Sequence, residues 1–123
     1  MKRIAILTSG GDAPGMNAAI RAVVRTGTFH GLTMFGVNRG FHGLMYHDFI
    51  KLTVNSVGDI IHRGGTILRT SRSKEFRNAH MRMRAKEALD YFGIDVLFVI
   101  GGNGSLMGGY ELAATGVNII GIP

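Results

Sequence analysis

Short apolar runs alternate along the chain with segments whose apolar residues recur at helical spacing. The apolar runs predict strands buried on both faces, and they lie at residues 4–7, 32–37, 96–100 and 117–122. The helical spacing predicts helices from about residue 15 to residue 27 or 31, from 78 to 92 and from 105 to 114. Strands that alternate with helices predict a mostly parallel sheet covered by helices on both faces.

Weaker signals fill the stretch between the second strand and the second helix. Residues 39–43 are bounded by glycines and predict a loop that carries Phe41. Residues 56–59 resemble a capping box before a short helix through residues 60–61, which the next two glycines end. Residues 67–71 predict an extended or irregular segment, and residues 72–74 a polar loop.

Two glycine-rich segments follow predicted strands and lead into predicted helices. They are LTSGGDAPGMN at residues 7–17 and IGGNGS at residues 100–105, and we call them the first and second elbow. A glycine turn at a helix start exposes backbone N–H groups at the positive end of the helix dipole, where phosphate binds. Both elbows fall at the carboxyl ends of strands, which is the binding edge of such sheets. The first matches neither G-x-G-x-x-G nor a lysine-bearing P-loop, so a tight turn without a ligand is the alternative.

Several side chains have two interpretations from the residues alone. Arg21 and Arg25 share a helix face, which suits either an anion or plain solvent exposure. Arg72 suits either a phosphate clamp or an ordinary surface position. Asn103 suits either a metal or metal-bound water, or a left-handed turn.

Composition narrows the classes of function. The formal net charge of +6 favours acidic ligands, or else marks a piece of a larger, more acidic protein. There is no basic block of the kind found in nucleic-acid tails, so we predict no nucleic-acid partner. The chain has no cysteine, no signal-peptide pattern and no apolar run long enough for a membrane helix, so we predict no membrane association.

Four stretches resemble one family, and the resemblance covers essentially the whole chain. They are LTSGGDAPGMNAAIRAVVR at 7–25, SVGDIIHRGGT at 56–66, EFR at 75–77 and VIGGNGS at 99–105. They are similar to the amino-terminal part of bacterial ATP-dependent 6-phosphofructokinases. The resemblance implies a Rossmann-like three-layer α/β sandwich with a mostly parallel sheet, of which residues 1–123 form an incomplete amino-terminal part of the ATP-binding domain. It also implies a cytoplasmic enzyme of glycolysis that transfers the γ-phosphoryl of MgATP to the 1-hydroxyl of fructose 6-phosphate.

Site residues follow from the same resemblance. It implies ATP binding by Gly11, Phe41, Arg72, Ser73, Gly102, Asn103, Gly104, Ser105 and Gly108. Gly11 and Arg72 would support the transition state, and Asn103 would hold Mg²⁺. An ADP or phosphoenolpyruvate effector would bind at Arg21, Arg25, Val54, Asn55, Gly58 and Asp59, in a homotetramer with effector sites between subunits.

Two departures from the family pattern change the expectation. The family has aspartate where this chain has Asn103, so we expect weaker metal binding. The family's catalytic-base segment follows the position of Pro123, so we expect the 123-residue chain alone to be inactive. Gly104 favours ATP, because pyrophosphate-using relatives carry aspartate there. The alternatives are an inactive nucleotide-binding fragment and a relative of NAD or diacylglycerol kinases.

Overall fold

The computed structural model describes residues 2–10, 15–71 and 74–123 of the chain. In this part, helices and three short 3-10 turns pack against one five-stranded sheet. The strands are β1 (Arg3–Thr8), β2 (Thr33–Val37), β3 (Phe49–Leu52), β4 (Val96–Ile100) and β5 (Ile119–Ile122). The helices are α1 (Met16–Phe29), α2 (Gly40–Met45), α3 (Ala79–Tyr91) and α4 (Asn103–Ala113). The 3-10 turns are Asn55–Val57, Ile60–His62 and Glu75–Arg77.

The sheet has the strand order β3-β2-β1-β4-β5. The central strand β1 runs parallel to both β2 and β4, and β5 runs parallel to β4. Only the edge strand β3 is antiparallel among the described strands, with Val37 of β2 opposite Phe49. The predicted mostly parallel sheet is therefore confirmed.

Alternate residues of β1 enter two separate cores. Ile4 and Ile6 pack against α1 and the first two 3-10 turns on one face of the sheet. Ala5 and Leu7 pack against α2, α3 and α4 on the other face. Because both faces are covered, β1 is apolar at every one of these positions, and the predicted three-layer α/β architecture is confirmed.

Helix α1 begins directly after Gly15, which has a positive φ of 96°. Ile20 and Val24 are fully buried one turn apart, as the helical spacing predicts. Of the two predicted ends, the later one is correct, since the helix runs to Phe29 and Gly31 then turns the chain with φ 78°.

The loop predicted at residues 39–43 is wrong, because helix α2 begins at Gly40. Arg39 and Gly40 both take left-handed φ values, 61° and 58°, and this turn starts the helix. Gly43 suggests a loop in sequence, but here its missing side chain lets α2 pack against the backbone of Asn38. Burial of Leu44 in the core stabilises the helix despite the glycines.

Two other local predictions need correction. Strand β3 was not predicted, because its four residues FIKL carry no clear alternation. The capping box is absent from the described residues 56–59, where Asp59 makes no side-chain cap. Ser56 instead pairs with Thr53, whose backbone N–H lies 2.7 Å from the Ser56 Oγ. The short helix predicted through residues 60–61 is present as the 3-10 turn Ile60–His62, and a second 3-10 turn precedes it at Asn55–Val57.

Candidate functional site

The two elbows lie side by side because β1 and β4 are neighbours in the sheet. Thr8 is paired with Ile100 at the end of the strands, and the backbone N–H of Ser9 donates to the Ile100 carbonyl at 3.0 Å. The strand order reverses between β1 and β4, so this is the topological switch point where α/β sheets bind ligands.

Glycine is required where the elbows touch. A Cβ added to Gly101 would lie 2.5 Å from the carbonyl oxygen of Ser9 and 2.5 Å from the Oγ of Ser105. Gly10 has φ 85°, and its added Cβ would lie 3.3 Å from the same Oγ. The buried Ser105 side chain therefore fills the space between the two backbones.

The amino terminus of α4 opens into a cleft. Its N-cap, Gly102, has no side chain to cap the first N–H groups, which lack partners within the helix. Added Cβ atoms at Gly102 and Gly104 would meet nothing within 4 Å. N–H groups without a partner inside the helix, the positive end of the helix dipole and open space together suit a phosphate.

Aromatic and basic residues form the opposite wall of the cleft. Phe41 of α2 stacks on Phe76, with ring centroids 4.4 Å apart, and an added Cβ at Gly108 would lie 3.1 Å from the Phe41 ring. Lys74 and Arg77 line the same cleft and supply positive charge. The cleft has a volume of about 1110 Å³, which is just above the usual size of small-molecule sites and large enough for a nucleotide-sized ligand.

Arg82 connects this wall to α4. Its guanidinium donates to the carbonyls of Phe76 at 3.1 Å and Arg77 at 2.7 Å. The same group lies 3.3 Å from the carboxylate of Glu111, which also lines the cleft. The wall is thus joined to the helix that presents the second elbow.

A hydrogen bond on the outer side of the wall ties the third 3-10 turn to α2. The hydroxyl of Tyr46 donates to Glu75 at 2.9 Å. That hydrogen bond raises the pKa of Tyr46, because loss of the proton would leave two anions in contact. The aromatic pair inside and this bond outside hold the turn from two sides.

The cleft brings together five of the residues assigned to ATP by resemblance. They are Phe41, Gly102, Gly104, Ser105 and Gly108. Gly11, Arg72 and Ser73 lie outside the described residues. Asn103 is described only as the first residue of α4. Other lining residues carry no assignment from the sequence, and among them are Ser71, Lys74, Phe76 and Arg77.

The second predicted site lies on α1, which packs against the turns at residues 55–57 and 60–62. Arg21 is half-buried and Arg25 is exposed on this helix. The Nε of Arg21 is buried without a hydrogen-bond partner among the described residues. The other predicted effector residues are exposed, and they are Val54, Asn55, Gly58 and Asp59.

No three His, Asp or Glu side chains within residues 2–10, 15–71 and 74–123 are grouped to hold a metal ion. In the same part of the chain, no helix is long and apolar enough to cross a membrane.

The fold and the cleft define an α/β protein with an anion-receptive site at the switch point of its sheet. A family model described as Phosphofructokinase matches residues 3–123. The chain therefore belongs to the phosphofructokinase family. This confirms the resemblance and sets aside the alternative of an NAD or diacylglycerol kinase relative.

Curated relatives carry the name ATP-dependent 6-phosphofructokinase. The protein from Clostridium tetani is 56% identical over 123 residues, and the one from Clostridioides difficile is 54% identical. Each match covers 100% of this chain and 39% of the relative. The chain thus spans well under half the length of these relatives.

Solved structures of the family have the same fold. Phosphofructokinase from Pichia pastoris in the T-state has a TM-score of 0.89 and 39% identity, over 92% of this chain and 13% of that chain. The Saccharomyces cerevisiae structure also has a TM-score of 0.89, with 40% identity over 98% of this chain and 20% of that chain. A pyrophosphate-dependent phosphofructokinase from Marinobacter aquaeolei has a TM-score of 0.85 at 21% identity, over 100% of this chain and 33% of that chain, which shows the fold alone.

Proposed function

We propose that residues 1–123 are the amino-terminal part of the ATP-binding domain of an ATP-dependent 6-phosphofructokinase. The whole protein would transfer the γ-phosphoryl of ATP to the 1-hydroxyl of fructose 6-phosphate. The observation that carries this proposal is the cleft at the two elbows, where the first N–H groups of α4 face a wall with basic residues. Names of relatives 54–56% identical to this chain point to the same reaction.

Within the cleft, the nucleotide would lie with its phosphates on the second elbow. Gly102, Gly104 and the N–H of Ser105 would hold the phosphates, because they combine open space with the start of α4. Phe41 and Gly108 would lie toward the adenosine end. Gly11, Arg72 and Ser73 keep the roles that the resemblance implies, as predictions.

The cleft suits the polyphosphate better than it suits the magnesium ion. Lys74 and Arg77 balance phosphate charge, whereas Glu111 is the sole carboxylate among the described lining residues and is paired with Arg82. We infer that Mg²⁺ is carried mainly by the nucleotide phosphates, with Asn103 as a neutral oxygen ligand. When bound, the ion would neutralise charge on the transferring phosphoryl.

Binding without turnover is the expected behaviour of the 123-residue polypeptide. Calorimetry should detect MgATP binding, while a coupled assay with fructose 6-phosphate should detect no ADP formation. The physical reason is that no described lining residue is placed as a base, since Glu111 is held 3.3 Å from a guanidinium. Turnover by the purified polypeptide would contradict this prediction.

The Gly104→Asp variant tests whether the nucleotide phosphates bind at the second elbow. The new side chain enters open space on α4, so unfolding should be little changed. Its carboxylate would stand against the phosphates, and MgATP affinity should fall by about 10-fold or more, corresponding to about 1.4 kcal/mol. Unchanged MgATP affinity in this variant would place the nucleotide elsewhere. If the wild type binds pyrophosphate more tightly than ATP, ATP is excluded as the preferred donor.

We also propose that the basic face of α1 binds an anionic effector such as ADP or phosphoenolpyruvate. The buried Nε of Arg21, unpartnered among the described residues, supports this, because an unsatisfied buried donor is costly without a ligand. Residues 54–59 include the 3-10 turn Asn55–Val57, which packs on the same helix through the buried Val57 and leaves the predicted effector residues of this stretch exposed. Assembly as a homotetramer remains a prediction from the resemblance.

Removing the Arg21 guanidinium tests the effector proposal. Phosphoenolpyruvate affinity measured by calorimetry should fall about 10-fold in Arg21→Ala, because a charge-assisted hydrogen bond to the ligand contributes about 1.5–3 kcal/mol. Arg84→Ala is the control, since that arginine lies over the Tyr46 ring on the opposite face of the sheet. Equal loss in both variants would mean that only net charge matters.

A further inference from the structure

A strap formed by residues 63–71 leads from the turn at Ile60–His62 to the wall of the cleft. It has no helix or strand, yet Leu68 at its centre is fully buried in the core beneath α1. Its last residue, Ser71, lines the cleft, and the lining continues at Lys74. The placement of the wall therefore depends on how the strap is held.

Asn17 holds the first part of the strap. This α1 residue is 3% exposed, and its side-chain amide uses both of its ends. The Nδ2 donates to the Arg63 carbonyl at 3.2 Å, and the Oδ1 accepts from the backbone N–H of Ile67 at 2.7 Å. One buried side-chain amide therefore satisfies the main-chain carbonyl of Arg63 and the main-chain N–H of Ile67, and it ties both to α1.

Thr8 holds the second part through a directed chain of hydrogen bonds. Its hydroxyl, fully buried, donates to the Arg69 carbonyl at 2.9 Å. Because a hydroxyl has one proton, Thr66 must donate in the 3.0 Å contact between the two threonine oxygens. Thr66 in turn accepts from the backbone N–H of Leu68 at 3.2 Å.

Close packing and a strained backbone show how tightly the end of the strap is set. Arg69 takes a left-handed φ of 60°, which a side chain with a Cβ rarely adopts without support. The Leu68 carbonyl accepts from the backbone N–H of Arg39 at 2.8 Å. An added Cβ at Gly40 would lie 3.0 Å from the Thr8 carbonyl and 3.7 Å from the backbone of Ser71.

We propose that Asn17 and Thr8 are positioning residues of the nucleotide cleft, which they serve by fixing the strap and, through it, the described wall residues Ser71, Lys74, Phe76 and Arg77. The two residues lie near the two ends of the first elbow, Thr8 at the end of β1 and Asn17 at the start of α1. The same segments that present one phosphate-binding turn thus place the opposite wall. The link to a nucleotide rests on the function proposed above, whereas the link to the wall does not.

The test compares Asn17→Asp and Thr8→Val with the wild type. The first keeps the acceptor for Ile67 but loses the donor to Arg63, and the second removes the hydroxyl without changing shape. In each variant we expect MgATP affinity, measured by calorimetry, to fall about 10-fold, since a buried group is left unpaired. We also expect faster amide exchange at Arg77 and Asn78, relative to the amides of β1.

A control variant distinguishes a positioning role of the strap residues from a general loss of protein stability. Leu97→Val trims a fully buried side chain near the amino end of β4, in the core on the other face of the sheet from Leu68. Leu97 does not line the cleft, and we expect this variant to lower the unfolding temperature. If the strap variants raise the exchange ratio no more than this control does, the proposal is overturned. It is overturned equally if the wild type binds MgATP and the strap variants bind it as tightly. A wild type that binds no nucleotide defeats the proposed function, and the exchange ratio still decides the role of the strap.

Discussion

Replacing Gly101 with alanine is expected to lower the free energy of unfolding by about 3 kcal/mol and to remove detectable MgATP binding. The added methyl would lie 2.5 Å from the Ser9 carbonyl and 2.5 Å from the Ser105 Oγ, so the two elbows must move apart. Urea unfolding followed by circular dichroism gives the stability, and calorimetry well below the transition gives the affinity.

Gly102→Ala is the matched control, one residue further along the same elbow. Its added Cβ would meet nothing within 4 Å, and its φ of −82° suits alanine. The expected cost is less than about 1 kcal/mol, from the weaker N-cap alone. Equal destabilisation in the two variants would mean that the spacing between the elbows is not what glycine supplies at position 101.

Asn103→Asp is expected to change MgATP binding in a direction that depends on the metal. With Mg²⁺ present, a carboxylate at the start of α4 offers a charged oxygen to the ion, and affinity should rise about 10-fold, equivalent to about 1.4 kcal/mol. With EDTA, the same carboxylate faces bare phosphates, and ATP affinity should fall below that of the wild type. Calorimetry in the two buffers measures both arms.

Asn118→Asp controls for the change in net charge. Asn118 precedes β5 and donates to the Asp95 carbonyl at 3.2 Å, at the edge of the sheet away from the cleft. This variant should bind MgATP like the wild type in either buffer. The same metal-dependent reversal in both variants, or no reversal in Asn103→Asp, would show that position 103 does not face the metal.

The sequence pattern predicts those helices and strands that are determined by their own residues. The apolar run of β1 and the spacing of Ile20 and Val24 in α1 are visible in the sequence because these residues are buried in the cores beside the sheet. Helix α2 was missed because its glycines weaken a helix in isolation, and only the approach of Asn38 explains Gly43. The predicted capping box is wrong for a local reason, because the Ser56 hydroxyl bonds to Thr53, three residues before it in the chain.

The residues of the cleft likewise divide into those that the sequence predicts and those that only the tertiary structure reveals. The elbows were predictable because glycine after a strand has a direct chemical meaning, and the structure places them together at the switch point. Lys74 and Arg77 were not assigned, since they face the cleft only through a 3-10 turn that Arg82 and Tyr46 hold from other elements. Nothing in the spacing of Asn17 indicates that its amide bridges residues 46 and 50 positions away.

The strand order has a consequence for the sequence of events in folding. The central strand β1 meets β2 after one short crossover, with Ile4 opposite Met34, but it meets β4 only across some ninety residues, with Ile4 opposite Val96. On a ribosome the chain emerges from its amino terminus, so β1, α1, β2 and β3 can assemble while β4 is still being made. Until then β1 has an unpaired apolar edge, which another nascent chain could occupy. The seam that creates the cleft closes only after α3 and β4 have been made, so any ligand that bridges it favours the completed sheet over its half-built precursor.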